Sequence, residues 1–183
     1  MRRRLFISLE IPAPLIKTIG KAVEKMNLPP EMRILHPEGW HITLSFLGEQ
    51  DDGDITRIIS AMERTAPEFE CPEIVLEKFL LAPPGKKPRM IWLETDAKTS
   101  SALAKIKSVL EKNLSENGIG FESENRKFNG HITLARFSEV PASVGSINPK
   151  AGWGFTAKSL DLFESVLKRS GAEYIRLAKF DFL

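Results

Sequence analysis

The tetrapeptide His-Ile-Thr-Leu occurs twice in this chain of 183 residues, at residues 41–44 and at residues 131–134. The two copies contain two of the three histidines of the whole protein. Because histidine titrates near neutral pH, one imidazole can accept a proton while another donates one. The duplicated tetrapeptide therefore predicts that His41 and His131 act together in proton transfer.

Side chains alternate between the two faces of a β-strand, so each copy places its histidine and its threonine on one face. Hydrolysis of a phosphodiester needs a base that activates water and an acid that protonates the leaving oxygen. The hydroxyls of Thr43 and Thr133 can donate hydrogen bonds to the non-bridging phosphate oxygens. We therefore expect two imidazoles and two hydroxyls to line one cleft.

The elements that position these residues also repeat along the chain. The patterns predict strands over 4–11, 32–35, 41–47, 73–82, 90–94, 156–166 and 173–182, and helices over about 14–26 and 54–66. A third helix follows the strand at 90–94, carries an apolar stripe from Leu103 to Leu114, and ends at Asn117 and Gly118. A Pro- and Lys-rich loop at 83–88 separates the two halves, and residues 138–152 are predicted to be loop. We interpret the chain as a duplicated β-α-β unit within a single bilobal domain over 1–183. The first repeat covers about 1–84 and the second about 89–183, with strands exchanged between the lobes.

Composition limits the class of protein. The 26 Lys and Arg against 24 Asp and Glu leave a net charge of +2, so a polyanion must be bound by a local patch. The single cysteine, Cys71, excludes an internal disulfide and favours a reducing compartment. No apolar run approaches the length of a membrane-spanning helix, and the N-terminal segment does not have the pattern of a secretory signal. We expect a cytoplasmic protein without a membrane partner and, because of the internal pseudo-symmetry, a monomer.

Two other chemistries use histidine. A zinc site needs a third ligand, and neither tetrapeptide has a carboxylate or histidine at metal-ligand spacing; His36 lies beside Pro37 in a turn and has no counterpart in the second half. A serine nucleophile remains a minor alternative, because the sequence contains no Gly-x-Ser-x-Gly motif. The residues favour catalysis by two histidines without a metal.

The two extended motifs, His-Ile-Thr-Leu-Ser-Phe-Leu-Gly at 41–48 and His-Ile-Thr-Leu-Ala-Arg at 131–136, resemble the paired signatures of the two-histidine (2H) phosphoesterase superfamily. The nearest branch is similar to the 2′-5′ RNA ligase-like family, also called RNA 2′,3′-cyclic phosphodiesterases. The resemblance covers nearly the whole chain. One departure is Gly130, which stands where this family often has proline and which suggests a more flexible start to that strand.

The resemblance implies an α+β fold in which two antiparallel sheets face a central cleft with pseudo-twofold symmetry. It implies hydrolysis of an RNA 2′,3′-cyclic phosphate to a 2′-phosphate without metal or nucleotide cofactor. It also implies 2′-5′ joining of tRNA halves in the reverse direction. By the resemblance His41 is the general acid and His131 the general base, although the pseudo-symmetry makes the two roles hard to separate.

Phe46 and Arg136 each lie five residues after a motif histidine, and the resemblance places these positions against the nucleotide. An odd offset puts them on the opposite face of a regular strand, so both need a bulge or a strand end to reach the cleft. Arg136 can bind phosphate with paired N–H groups, whereas Phe46 either stacks on a base or packs in the core. Trp40 either stacks on a base or shields the strand edge.

Basic clusters are candidate guides for RNA, although most such runs are solvated surface. They lie at Arg2–Arg4, Lys86, Lys87 and Arg89, Arg126 and Lys127, and Lys168 and Arg169. The pair Arg126 and Lys127 is the best candidate because it lies just before the second motif. Two alternative functions stay open: an RNA-end-binding protein without turnover, and a phosphodiesterase for small cyclic nucleotides or 2′-5′ oligonucleotides.

Overall fold

Nine strands and three helices form the described part of the chain, which in this computed structural model comprises residues 1–124, 126–142, 144, 147, 149–168 and 171–183. The strands are β1 (Arg2–Glu10), β2 (Arg33–Ile34), β3 (His41–Asp51), β4 (Glu73–Ala82), β5 (Met90–Thr95), β6 (His131–Arg136), β7 (Lys150–Thr156), β8 (Ser159–Lys168) and β9 (Gly171–Asp181). The helices are α1 (Ala13–Lys25), α2 (Asp52–Thr65) and α3 (Ala97–Glu116).

The strands pair antiparallel in the order β7-β4-β5-β6-β3-β1-β8-β9, and β2 pairs with β6. The two central strands, β3 and β6, meet at the single pair Ile42 and Ile132. This confirms the predicted α+β fold, and the two expected sheets are the two halves of one sheet joined at that pair. The motif strands therefore lie side by side in the middle of the molecule.

The order of strands outward from this junction has the same form on both sides. One half-sheet runs β3-β1-β8-β9 and the other runs β6-β5-β4-β7. β4 precedes the loop at 83–88 and yet pairs with β5 and β7, whereas β8 follows it and pairs with β1. The chain thus crosses between the half-sheets more than once. Several backbone connections therefore link the two half-sheets.

Two local predictions were wrong. Strand β7 starts at Lys150, inside the stretch predicted as loop, because Gly152 and Gly154 hide its alternating pattern. Helix α2 begins at Asp52 and not at Asp54; Asp51 is its N-cap, and the Asp54 carboxylate accepts a 3.1 Å hydrogen bond from the Asp51 N–H. Asp54 therefore acts from inside the first turn, as the acidic member of a capping box.

Apolar faces of the helices close the core against the sheet. Ile19 of α1, Met62 of α2 and Leu110 of α3 are fully buried. Each such side chain stabilises the fold by about 1.5–3 kcal/mol relative to an exposed one. A buried 2.9 Å hydrogen bond from Asn113 to the Thr65 hydroxyl links α3 to α2. None of the described helices is both long enough and apolar enough to cross a bilayer.

Candidate active site

The two motif histidines occupy equivalent places at the start of β3 and β6. His41 pairs with Glu10 of β1, and His131 pairs with Glu94 of β5. Both imidazoles are half-buried, and the residue after each histidine forms the pair that joins the half-sheets. The sequence therefore positions both imidazoles by the same backbone arrangement, on either side of the junction.

Each imidazole is held by one hydrogen bond to a backbone carbonyl two residues earlier. Nδ1 of His41 lies 2.7 Å from the Gly39 oxygen, and Nδ1 of His131 lies 2.7 Å from the Asn129 oxygen. A carbonyl oxygen only accepts, so Nδ1 of both rings carries the proton and donates it. Within the described residues Nε2 has no hydrogen-bond partner on either ring, so it is the nitrogen that can exchange protons with a ligand.

Burial lowers the pKa of both histidines because a charged imidazolium is poorly solvated there. For His41 it lowers the pKa to about 4, the Gly39 hydrogen bond opposes the change, and the charge of His131 adds to it. For His131 burial also lowers the pKa, with smaller lowering contributions from Arg126 and Arg136. At neutral pH, without a bound anion, both rings are therefore neutral, and Nε2 of each carries a lone pair.

Both motif strands contain a bulge at the same residue. Ile7 pairs with Ser45 but Ser8 with Thr43, so Leu44 is the extra residue in β3. Likewise Ile91 pairs with Ala135 but Trp92 with Thr133, so Leu134 is the extra residue in β6. A bulge reverses the alternation beyond it.

The reversal brings the fifth residue after each histidine to the cleft face. Phe46 is 58% exposed and Arg136 is also exposed, while Ser45 and Ala135 are buried. Phe46 therefore does not pack in the core. The bulges explain how a residue at an odd offset from the histidine reaches the same face of the strand.

The cleft consists of two connected cavities, here called arms, which have several lining residues in common. The larger, about 1130 Å³, extends to the 83–88 connection and to residues 120–124 and 126–129; we call it the loop arm. The smaller, about 540 Å³, extends to β1, β2 and the β8–β9 hairpin; we call it the hairpin arm. The residues that line both arms are Thr43, Phe46, Gly48, His131, Thr133 and Arg136, and His41 lines the hairpin arm. Neither threonine hydroxyl has a hydrogen-bond partner among the described residues, so both can donate to a ligand.

Aromatic rings beside the histidines were missed by the sequence analysis. Trp92 stacks on His131 with ring centroids 3.7 Å apart, and Phe6 stacks on His41 at 4.7 Å. Tyr174 lies edge-on to His41 at 5.1 Å. Trp92 pairs with Thr133 across β5 and β6, so only the strand register would have revealed it. These rings supply the burial that keeps the imidazoles neutral.

One predicted substrate contact needs correction. Trp40 is 3% exposed and lies in the core, so its indole is not available to stack on a base.

Arg126 lines the loop arm, as expected for a substrate contact, and donates two 2.9 Å hydrogen bonds to the exposed Glu124 carboxylate. Its contact with substrate stays a prediction.

The structure also bears on Gly130, on the alternative of a metal site and on one of the basic clusters. Gly130 is held by two hydrogen bonds: its N–H donates to Ser100 Oγ at 3.1 Å, which a proline could not do, and its oxygen accepts from the Thr95 N–H at 2.8 Å. Among the described residues, no three His, Cys, Asp or Glu side chains come together as a metal site. Of the basic pair at 168 and 169, Arg169 lies outside the described residues.

A search of known families matches residues 9–92 to the LigT-like phosphoesterase model. Among curated proteins, the RNA 2′,3′-cyclic phosphodiesterase of Bacillus subtilis is 26% identical over 98% of this chain and 97% of its own. The protein of the same name from Thermotoga maritima is 29% identical over 75% of this chain and 72% of its own.

Solved structures show the same fold. A protein of Thermus thermophilus superposes with a TM-score of 0.84 at 24% identity, covering 98% of this chain and 97% of its own. Escherichia coli LigT in complex with 3′-AMP superposes with a TM-score of 0.79 at 23% identity, covering 100% and 99%. The resemblance inferred from the duplicated motif is thus confirmed: the chain is similar to the LigT-like phosphoesterases over residues 9–92 and to curated RNA 2′,3′-cyclic phosphodiesterases over nearly its whole length.

Proposed function

We propose that this protein hydrolyses RNA 2′,3′-cyclic phosphate ends to 2′-phosphates by metal-independent acid–base catalysis with two histidines. One observation carries the proposal: two imidazoles, each held through Nδ1, and two threonines line one cleft, and among the described residues neither Nε2 nor either threonine hydroxyl has a hydrogen-bond partner. The curated relatives with the same activity in their names support the substrate class.

In the proposed reaction, Nε2 of His131 removes a proton from water as the water oxygen attacks phosphorus. The bond between phosphorus and the 3′ oxygen breaks, and the Nε2–H of protonated His41 donates its proton to that oxygen. The product carries a 2′-phosphate and a free 3′-hydroxyl. Thr43 and Thr133 donate hydrogen bonds to the non-bridging oxygens, and Arg136 adds charge-assisted N–H donors. The reverse division of roles between the histidines uses the same geometry.

The acid must hold a proton even though burial lowers the pKa of His41 to about 4. A bound phosphodiester brings a negative charge to the cleft, and a nearby negative charge raises the pKa of an imidazole. The substrate therefore promotes protonation of the acid, and the free enzyme keeps both rings neutral. Catalysis is then coupled to binding of an anion.

The deciding experiment incubates the protein with a short RNA that ends in a 2′,3′-cyclic phosphate, in the presence of EDTA. Phosphorus NMR identifies the product. We expect conversion to the 2′-phosphate. A 3′-phosphate product, or a reaction abolished by EDTA, would contradict the proposed mechanism.

Controls in the same assay separate the alternatives. Tight binding with unchanged RNA would identify an RNA-end-binding protein. Faster turnover of small cyclic nucleotides or 2′-5′ oligonucleotides than of RNA would change the substrate. The same groups support 2′-5′ joining when the ribose 5′-hydroxyl of a second RNA, such as a tRNA fragment, attacks the cyclic phosphate in place of water. Cytoplasmic location and a monomeric state remain predictions from the sequence.

A further inference from the structure

The two arms of the cleft differ in charge. The loop arm mixes basic side chains with Glu49, Glu122 and Glu124. Among the described residues, no Asp or Glu lines the hairpin arm, whereas Arg4, Arg33, Arg136 and Lys168 all do. Lys168 forms an ion pair with Glu173, which lies outside that lining. An anion that extends from the histidines therefore meets a favourable potential along the hairpin arm and a mixed one along the loop arm.

Arg4 differs from the two arginines that precede it. Arg2 approaches Asp51 at 3.7 Å, and Arg3 binds both Asp52 and Glu164 at 2.7 and 2.9 Å. Within the described part of the chain, Arg4 makes no ion pair and no hydrogen bond through its side chain. Arg4 and Phe6 lie two residues apart on β1 and both line the hairpin arm, where Phe6 stacks on His41. The guanidinium of Arg4 is therefore available to bind an anion in the hairpin arm.

Arg33 and Arg136 face each other across β2 and β6 as direct partners in the strand register. Both arginines line the hairpin arm, so their guanidinium groups are available on the same side of the cleft. Arg33 also lies against Gly171 at the start of β9, so closely that a Cβ there would overlap the guanidinium. The positive φ of 136° at Gly171 also favours glycine. The absence of a side chain at Gly171 thus leaves room for Arg33 at the wall of the arm.

We propose that the hairpin arm is a second phosphate subsite, in which Arg4 and Arg33 bind the internucleotide phosphate on the 5′ side of the terminal nucleotide. The inference rests on the proposed function, because it takes the reacting cyclic phosphate to lie at the histidines and Arg136. It deepens that function by predicting a preference for an oligonucleotide over a nucleoside 2′,3′-cyclic phosphate. The chemistry recognised is an RNA backbone phosphodiester.

The test compares two substrates, a nucleoside 2′,3′-cyclic phosphate and a trinucleotide with the same cyclic end. For the wild-type protein we expect a higher kcat/KM on the trinucleotide. Arg4→Gln and Arg33→Gln should each lower kcat/KM on the trinucleotide about 10-fold, as expected for a charge-assisted hydrogen bond of about 1.5 kcal/mol. Neither variant should change kcat/KM on the mononucleotide by more than about 2-fold, and each should reduce the salt dependence on the trinucleotide.

Arg2→Gln is the matched control, since it removes the same charge two residues away and outside the arm. It should leave kcat/KM unchanged on both substrates. Thermal unfolding checks that all variants are folded. Equal losses on both substrates for Arg4→Gln and Arg33→Gln, or no loss on either, would overturn the subsite. If Lys86→Gln and Lys127→Gln of the loop arm instead affected only the trinucleotide, the RNA would follow the other arm. If the wild type hydrolysed neither substrate, the proposed function itself would be wrong.

Discussion

The half-site of His41 and the half-site of His131 share their backbone but not their packing. In both, Nδ1 donates to a carbonyl two residues earlier and a bulge follows three residues after the histidine. The surroundings differ: the position beside the threonine is Ser8 in one half and Trp92 in the other. The duplicated backbone thus holds the ring orientation constant, while different aromatic rings provide the burial on each side.

The largest expected effect tests whether the two half-sites act as one unit. His41→Ala and His131→Ala should each lower kcat about 10²- to 10⁴-fold, because each removes one proton-transfer group. The double variant should be little slower than the slower single variant, since loss of either proton transfer interrupts the same step. Single-turnover kinetics measure all three. Multiplicative losses in the double variant would mean that the histidines act independently.

A smaller effect compares the two threonines. Thr43→Val and Thr133→Val should each lower kcat about 10- to 100-fold, because a hydrogen bond to a charged group contributes about 1.5–3 kcal/mol. Valine keeps the shape of the side chain and removes the donor. Steady-state kinetics with the cyclic-ended RNA measure both variants. An effect on only one of them would show that a single half-site binds the non-bridging oxygens.

The burial of the His41 ring can be tested through the pH dependence of the free energy of unfolding. Its folded pKa is about 4, below the value near 6.5 of an unfolded chain, so the unfolded state takes up the proton first as pH falls. This contribution to stability is complete above pH 6.5 and is lost as pH falls toward 4. Urea unfolding at pH 7 and pH 5 should show about 1–2 kcal/mol less acid-induced destabilisation in His41→Asn than in the wild type. Asparagine keeps a donor for the Gly39 carbonyl, and equal pH dependence in the two proteins would contradict the assignment.

The smallest expected effect separates the exposed aromatic ring from the buried one. Phe46→Ala should raise KM for RNA about 5- to 10-fold with an unchanged melting temperature, because stacking on a base contributes about 1 kcal/mol or more. Trp40→Phe should leave KM unchanged. Its Nε1 is buried without a partner, so removing that donor should cost little stability. A raised KM in Trp40→Phe would return Trp40 to the substrate site.

The sequence was sufficient for the residues that repeat, and it failed where a residue depends on strand register. The repeat at positions 41 and 131 predicted the shared cleft face of the histidines and threonines, since alternation holds for those first three residues. The position of Phe46 required the bulge, which the residue types of β3 do not reveal. Trp92 and Tyr174 lie on other strands, so their contacts with the histidines depend on long-range pairing. Trp40 was misplaced because adjacency in sequence says little about which face a residue occupies at a strand end.

The shared bulge also determines what changes in length these strands tolerate. Deleting Leu44 or Leu134 would restore regular alternation and turn Phe46 or Arg136 toward the core, without changing the residue type at any other position. Inserting a residue would reverse the alternation a second time. The number of residues between each histidine and the fifth residue after it is therefore constrained by the site, in addition to the packing of Leu44 and Leu134 in the core.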